Sequence, residues 1–137
     1  YDASMYSVSV ARAFGKITAS AGYESLGSDD GNMAFRTPLA TLHKFQGNAD
    51  KFLVTPAGGV EDLYFGIAGS VGKLKLGATW HDLSAAETSA DYGSELDLVA
   101  TLPLTKRTSV QFKYADYQSD GFATDTTKFW LTFNAKL

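Results

Sequence analysis

The sequence contains no cysteine and only three prolines in 137 residues. Without cysteine the chain has no disulfide framework, no thiolate metal site and no thiol redox chemistry. No apolar run approaches the ~20 residues that a membrane-spanning helix requires. Basic residues are also too few for a nucleic-acid-binding protein, because 12 Lys and Arg stand against 15 Asp and Glu and leave a net charge of -3.

The residues that are present indicate a folded β-rich chain. A hydrophobic content of 45% with 20% charged residues excludes a disordered chain. The length predicts a single domain over 1–137. The chain is rich in glycine and aromatics, with 13 Gly, 2 Trp, 7 Tyr and 9 Phe. The start at Tyr1 does not have the pattern of a signal peptide, so we expect a processed or trimmed start.

Apolar and polar residues alternate with a period of two along most of the chain. In residues 73–81, for example, Leu76 and Trp80 lie on one face while Lys75 and His81 lie on the other. This period is typical of β-strands with two different faces. It predicts about seven strands, at 5–14, 16–24, 63–71, 73–81, 95–104, 109–117 and 127–137.

The predicted connections are of two kinds. Short turns follow residues 14, 71 and 102, and glycine supplies the positive φ in the first two. The other connections, 27–60, 83–93 and 118–126, are longer and rich in Gly, Ser, Thr and Asp. Short turns on one rim and long loops on the other are typical of outer-membrane barrels. We therefore predict an all-β fold, a transmembrane antiparallel up-and-down β-barrel.

An internal repeat and the strand length favour the same fold. Residues 14–26 align without gaps on 71–83, and this predicts an aromatic girdle of Tyr23, Trp80 and Tyr114. About ten residues per strand, tilted by ~40°, span the ~25 Å apolar band of such barrels. Alternation does not say which face points inward, so a soluble lipocalin-like ligand-binding barrel remains the alternative fold.

Four segments resemble alginate-export-like outer-membrane porins of Gram-negative bacteria. They are residues 37–53, 59–64, 90–97 and 122–126. The resemblance runs from about residue 20 to the C-terminus and matches the last part of those longer chains. It implies an outer-membrane channel, and its name points to anionic saccharides. One departure is the terminal Leu137, where such barrels commonly end in Phe.

We predict a passive outer-membrane channel for small hydrophilic solutes. The predicted pore-lining residues are Lys75, His81, Glu95, Asp97, Gln111 and Lys113. Loop 27–60 is predicted to be extracellular and is too long for a passive connection. Thr37 caps a predicted short helix starting at Pro38, and we expect residues 37–53 to fold over or into the barrel and narrow it. The constriction residues offered to solutes are His43, Lys44 and Lys51.

No catalytic or metal site is predicted. His81 and Asp82 are adjacent on a strand and point to opposite faces, so they do not pair as base and orienting acid. The Gly15-Lys16 and Gly72-Lys73 segments lack the rest of a phosphate loop and are expected to be hairpin turns. The acidic loop residues do not follow the ligand spacing of a calcium loop. We therefore expect no enzymatic activity, no cofactor and no metal.

The strand count predicts missing strands. Bacterial barrels have an even number of strands, whereas seven are predicted here. We expect the C-terminal part of a larger barrel, whose remaining strands come from the same or another chain. An eighth strand at 51–55 is the alternative. Expected partners are outer-membrane lipid, lipopolysaccharide and the barrel-assembly machinery. A structural or scaffolding barrel occupied by a partner protein is the alternative function.

Overall fold

The computed structural model of the chain describes residues 2–37 and 46–136. These residues form nine strands and two sheets. The strands are β1 Met5–Phe14, β2 Ile17–Leu26, β3 Ser28–Asp29, β4 Met33–Ala34, β5 Val60–Val71, β6 Leu74–Ser84, β7 Asp91–Pro103, β8 Thr108–Ser119 and β9 Thr126–Ala135. No helix in the described part is long and apolar enough to cross a membrane.

Seven long strands form one antiparallel sheet in the order β1-β2-β5-β6-β7-β8-β9. This confirms the predicted all-β fold and its seven strands. Strands β3 and β4 have two residues each and pair only with each other. The other seven strands stand in the sheet in the same order as in the chain, so each interior strand is paired with the strand before it and the strand after it. Gly15 and Gly72 have φ of 63° and 59° in the tight turns, as predicted for hairpins.

The sheet is not closed into a barrel. Within residues 2–37 and 46–136, β1 pairs only with β2 and β9 pairs only with β8. The alternative eighth strand at 51–55 is wrong, because these residues form turns and bends. The positions predicted for the short helix, from Pro38 onward, lie outside the described residues.

One face of the sheet, which we call the apolar face, is covered with exposed hydrophobic side chains. Val8, Phe65 and Leu131 are representative, with 66%, 50% and 75% exposure. The opposite face, which we call the polar face, carries Asp62, His81 and Asp97. The exposed hydrophobic side chains form a continuous band, the apolar belt, across all seven strands.

The border of the apolar belt on the side of the long connections follows a regular diagonal. It consists of three directly opposed pairs, Tyr23·Leu63, Trp80·Leu96 and Tyr114·Phe129. The next residues on the same face are opposed pairs of mostly polar side chains, Ser25·Glu61, Asp82·Ser94 and Asp116·Thr127. Following the hydrogen-bonded rows across the sheet, each border pair lies two residues closer to the short turns than the previous one.

A small hydrophobic core lies at the end of the polar face near the long connections. Its buried members are Leu26, Ala49, Phe52, Val60, Leu83, Ala85, Tyr92, Ala115 and Tyr117. Residues 46–55, which we call the covering segment, pack onto this core through Phe52. The Phe52 ring stacks on Tyr92 and Phe122 with centroids 5.6 and 5.3 Å apart. A loop without regular secondary structure is thereby held against the sheet.

Candidate functional site: the covered polar face

Four ionisable side chains are buried together on the polar face beneath the covering segment. Period-two alternation directs Asp62 of β5, His81 of β6, and Glu95 and Asp97 of β7 to the same face. Cα pairing places His81 directly opposite Glu95. Glu95 is fully buried, and the other three are no more than 9% exposed. Such burial of charge is costly unless hydrogen bonds and opposite charges compensate.

His81 connects two carboxylates. Its Nδ1 lies 2.9 Å from both carboxylate oxygens of Asp62. Its Nε2 lies 3.6 Å from Oδ2 of Asp97. The side chain therefore contacts an acid on each neighbouring strand.

The backbone of the covering segment supplies further donors to the carboxylates. The Asn48 N–H donates to Oδ2 of Asp97 at 3.0 Å, and the Ala49 N–H donates to Oε1 of Glu95 at 2.6 Å. A hydrogen bond to a charged group such as the Asp97 carboxylate contributes about 1.5–3 kcal/mol. Gln46 donates its side-chain amide to Glu24 of β2. The covering segment is thus fixed to the sheet by carboxylate hydrogen bonds.

Contacts of two lysines, Lys128 of β9 and Lys51 of the covering segment, join the covering segment to β9 and β8. Lys128 donates to the Ala49 carbonyl at 2.5 Å and lies 3.7 Å from the Asp50 carboxylate. Lys51 places its ammonium 5.6 Å from the centroid of the Tyr117 ring. This cation–π contact places the Lys51 side chain against strand β8.

Beyond the border of the apolar belt, Glu95 and Tyr117 have strongly raised pKa values. Burial and the neighbouring Asp97 carboxylate raise the pKa of Glu95 to about 8. Burial, with the negative charges of Glu95 and nearby aspartates, raises the pKa of Tyr117 to about 12. Tyr117 donates its hydroxyl to the Tyr92 carbonyl. A Glu95 that is largely protonated near neutral pH lowers the charge buried under the covering segment.

The predicted pore-lining residues all lie on the polar face, but at different heights. His81, Glu95 and Asp97 come together under the covering segment. Lys75 and Gln111 lie nearer the short turns, where Gln111 donates to the Thr101 hydroxyl at 3.1 Å. Lys113 is half-buried.

The predicted girdle residues lie on the apolar face, and the one predicted constriction residue within the described part, Lys51, lies in the covering segment. Tyr23, Trp80 and Tyr114 each belong to a border pair of the apolar belt. His43 and Lys44 lie outside the described residues, and Lys51 contacts Tyr117.

The predicted site residues did not include several participants, namely Glu24, Gln46, Asn48, Asp62 and Lys128. The predicted third strand began at residue 63, whereas β5 begins at Val60. Starting that strand three residues earlier would have put Asp62 on the face of Tyr64. The alternation within β9 does place Lys128 on the polar face. The donors of the covering segment are backbone N–H groups, which every residue here has, so no pattern in the sequence reveals them.

No family model matches the chain, and no curated protein or solved structure matches it significantly. The resemblance to alginate-export-like porins therefore stays a prediction. The site itself offers hydrogen-bond acceptors and negative charge along a polar surface. Among the described residues, no group of three or more His, Cys, Asp or Glu side chains has metal-binding geometry.

Proposed function

We propose that the seven-stranded sheet is part of a transmembrane β-barrel of the bacterial outer membrane, and that this barrel is a passive channel for small hydrophilic solutes. The observation that carries the proposal is the diagonal border of the apolar belt. The proposed spanning segment of each strand runs from its border residue to the short turns. Beyond the border, the strands project from the membrane toward the long connections.

The slope of the border matches the strand tilt of membrane barrels. A shift of two residues over two strands is about 6.6 Å along the strands and about 9.6 Å across them. Strands tilted by about 35° bring such a diagonal to one level. Membrane barrels have tilts of roughly 35–45°. Aromatic rings on the border then lie where rings meet lipid headgroups, and lipid and lipopolysaccharide are the proposed surroundings.

The distribution of burial favours a membrane barrel over the lipocalin-like alternative. A soluble ligand-binding barrel keeps apolar side chains inside and polar ones outside. Here Glu95 is fully buried while Val10 and Leu131 are 68% and 75% exposed on the opposite face. Exposed apolar area of this extent marks an interaction surface, and we propose that lipid covers it.

Strand direction limits how the barrel closes. In an antiparallel sheet of seven strands, both edge strands run in the same direction. Pairing β1 of one copy with β9 of a second copy would therefore be parallel. Closure with antiparallel pairs requires an odd number of further strands, which a longer chain or another polypeptide would supply. Folding of such a barrel in the outer membrane would involve the assembly machinery.

The covering segment narrows the proposed channel, because residues 46–55 occupy part of the polar face. Deletion of residues 38–52 should raise single-channel conductance. As a control, deletion of the exposed residues 87–89 at the same end should leave it unchanged. Equal conductance before and after the 38–52 deletion would reject a constricting role. We propose no enzymatic activity and no cofactor for this channel.

Planar-bilayer recording tests the function. The purified protein in detergent should insert and give stepwise ion conductance. Insertion without conductance would favour the alternative of a structural or scaffolding barrel occupied by a partner. A chain that stays monodisperse in buffer without detergent would instead support the soluble lipocalin-like binder.

A further inference from the structure

Exposed basic side chains lie at the end of the large sheet where the short turns are. These residues, which we call the basic rim, are Lys16, Lys73, Lys106, Arg107 and Lys136, and all five are exposed. Antiparallel pairing brings the three short turns to the same end of the sheet. The Lys136 N–H donates to the Arg107 carbonyl at 2.9 Å, so the end of β9 lies beside the last of these turns. The five side chains therefore lie along one end of the sheet.

The sequence around the basic rim contains no acidic residue. Residues 3–23, 63–81, 98–115 and 126–137 make up the short turns and the strand segments next to them, and none of the 15 Asp and Glu residues lies in these four stretches. The same stretches contain nine of the 12 Lys and Arg residues. This end of the sheet therefore carries positive charge and attracts anionic groups.

One charged side chain lies within the apolar belt itself. Among the described strands, Arg12 is the only Lys, Arg, Asp or Glu on the apolar face between the border and the short turns. Its guanidinium lies 5.2 Å from the centroid of the Phe14 ring, and Phe14 is the last residue of β1. The exposed Arg12 side chain is thus directed toward the turn. A long side chain at the edge of a lipid-facing surface reaches the headgroups in this way, while its apolar stem stays among the acyl chains.

A groove on the apolar face leads to the basic rim. Its volume is about 650 Å³, and its walls include Ile67, Leu76, Leu98 and Phe112. These four side chains have the parity of the apolar face, and Lys16 of the basic rim borders the groove. Methylene groups that enter such a groove bury apolar area. The groove and Lys16 together match a molecule with an apolar chain and an anionic head.

We propose that the basic rim binds the phosphate groups of anionic phospholipids, whose acyl chains lie against the adjoining apolar belt. Arg12 and Arg107 present forked N–H donors that match phosphate oxygens, and the lysines add positive charge. A zwitterionic phospholipid carries an ammonium group beside its phosphate, so the rim binds it less tightly. The inference rests on the proposed membrane barrel, since it names the lipid that meets the short-turn end of the apolar belt.

Lipid competition on the purified protein in detergent tests the inference. The micelles contain equal amounts of phosphatidylglycerol and phosphatidylcholine with identical acyl chains, and native mass spectrometry counts the bound molecules of each lipid. We expect about ten times more bound phosphatidylglycerol, and we expect this preference to disappear in about 0.5 M salt. Equal binding of the two lipids, or a preference that salt does not change, would overturn the proposal.

A soluble competitor distinguishes a lipid site from a site for phosphate alone. Glycerol 3-phosphate carries the phosphate group without acyl chains, so it lacks the contacts with the apolar belt. It should leave the bound phosphatidylglycerol in place when added at the same concentration as the lipid. Displacement of the lipid would mean that the apolar belt takes no part, and it would contradict the proposed site.

Two matched variants assign the preference to the basic rim. Arg107→Gln should lower the preference for phosphatidylglycerol about fivefold, because it removes one positive charge near the headgroups. Arg36→Gln is the control, since Arg36 is exposed at the opposite end, next to the contact between Phe35 and Gly27. If circular dichroism shows that Arg107→Gln is misfolded, Lys73→Gln replaces it and should lower the preference as well. Equal preferences in the rim variant and the Arg36 variant would reject the basic rim as the site.

The outcomes separate this inference from the proposed channel. Conductance in planar bilayers combined with equal binding of the two lipids would reject the lipid site and leave the channel in place. Selective binding of phosphatidylglycerol without conductance would reject the channel and leave the lipid site.

Discussion

At Gly47 the backbone of the covering segment passes directly over the buried Glu95 carboxyl group. Gly47 has φ of 86°, and a Cβ atom there would overlap that carboxyl group. We expect Gly47→Ala to destabilise the protein by about 2–4 kcal/mol, from backbone strain plus overpacking. Gly31→Ala is the control, because Gly31 has φ of 73° with open space around it.

Urea unfolding of both variants in the same detergent measures the difference. The Gly31 variant carries only the strain of a positive φ and should lose about 1–2 kcal/mol. Equal losses for the two variants would show that the covering segment does not press on Glu95.

Side-chain parity explains which site residues could be predicted. His81, Glu95 and Asp97 follow directly from alternation with apolar neighbours. Glu24 and Asp62 lie at strand ends near the long connections, where alternation does not show whether a carboxylate is solvated or buried. That distinction depends on the covering segment, and its backbone N–H groups have no side-chain signature.

At the scale of elements, Phe52 is the main apolar anchor of the covering segment. It is 3% exposed and contacts Tyr92, Tyr117 and Phe122. Phe52→Ala should cost about 3–5 kcal/mol, because it leaves a cavity among aromatic rings. Leu53→Ala is the matched control, since Leu53 is 47% exposed and should change stability little.

Thermal unfolding followed by near-ultraviolet circular dichroism distinguishes these variants. The Phe52 variant should unfold at a clearly lower temperature and lose aromatic signal. A Phe52 variant as stable as the Leu53 variant would mean that the covering segment is not packed on the core.

The strands themselves were predictable to within a few residues, because both faces of each strand have a strong and opposite composition. Strand β7, for example, spans Asp91–Pro103, and its predicted range was 95–104. The docking of residues 46–55 was not predictable in detail. It depends on ring packing and backbone donors, whose partners lie about 40–70 residues away in the sequence.

At the scale of the whole molecule, the two faces of β9 should respond in opposite ways to a charge. Leu131 lies in the middle of the apolar belt on β9, and Thr132 is next to it on the polar face. Leu131→Arg should impair insertion into lipid vesicles, because arginine at the bilayer midplane costs about 2–4 kcal/mol. Thr132→Arg should insert normally. Protease protection in vesicles measures insertion, and equal protection of the two variants would contradict a lipid-facing apolar belt.

The odd number of strands in the large sheet leads to a prediction about its two edge strands. Because β1 and β9 run in the same direction, an antiparallel barrel places an odd number of further strands between them. A cysteine at Ser9 of β1 should therefore form no disulfide with a cysteine at Trp130, Thr132 or Asn134 of β9. The chain has no cysteine of its own, so any disulfide that forms must join the two engineered cysteines.

The control pair is Thr101→Cys with Gln111→Cys, since these residues are directly opposed on β7 and β8. Directly opposed residues have the Cα separation that a disulfide requires. Gel mobility of the oxidised protein, with and without reductant, should show an internal cross-link in the control alone. A cross-link within one chain between β1 and β9 would mean that the seven strands close on themselves. A cross-linked dimer would mean that two copies close the barrel through parallel seams, and either result would refute the requirement for further strands.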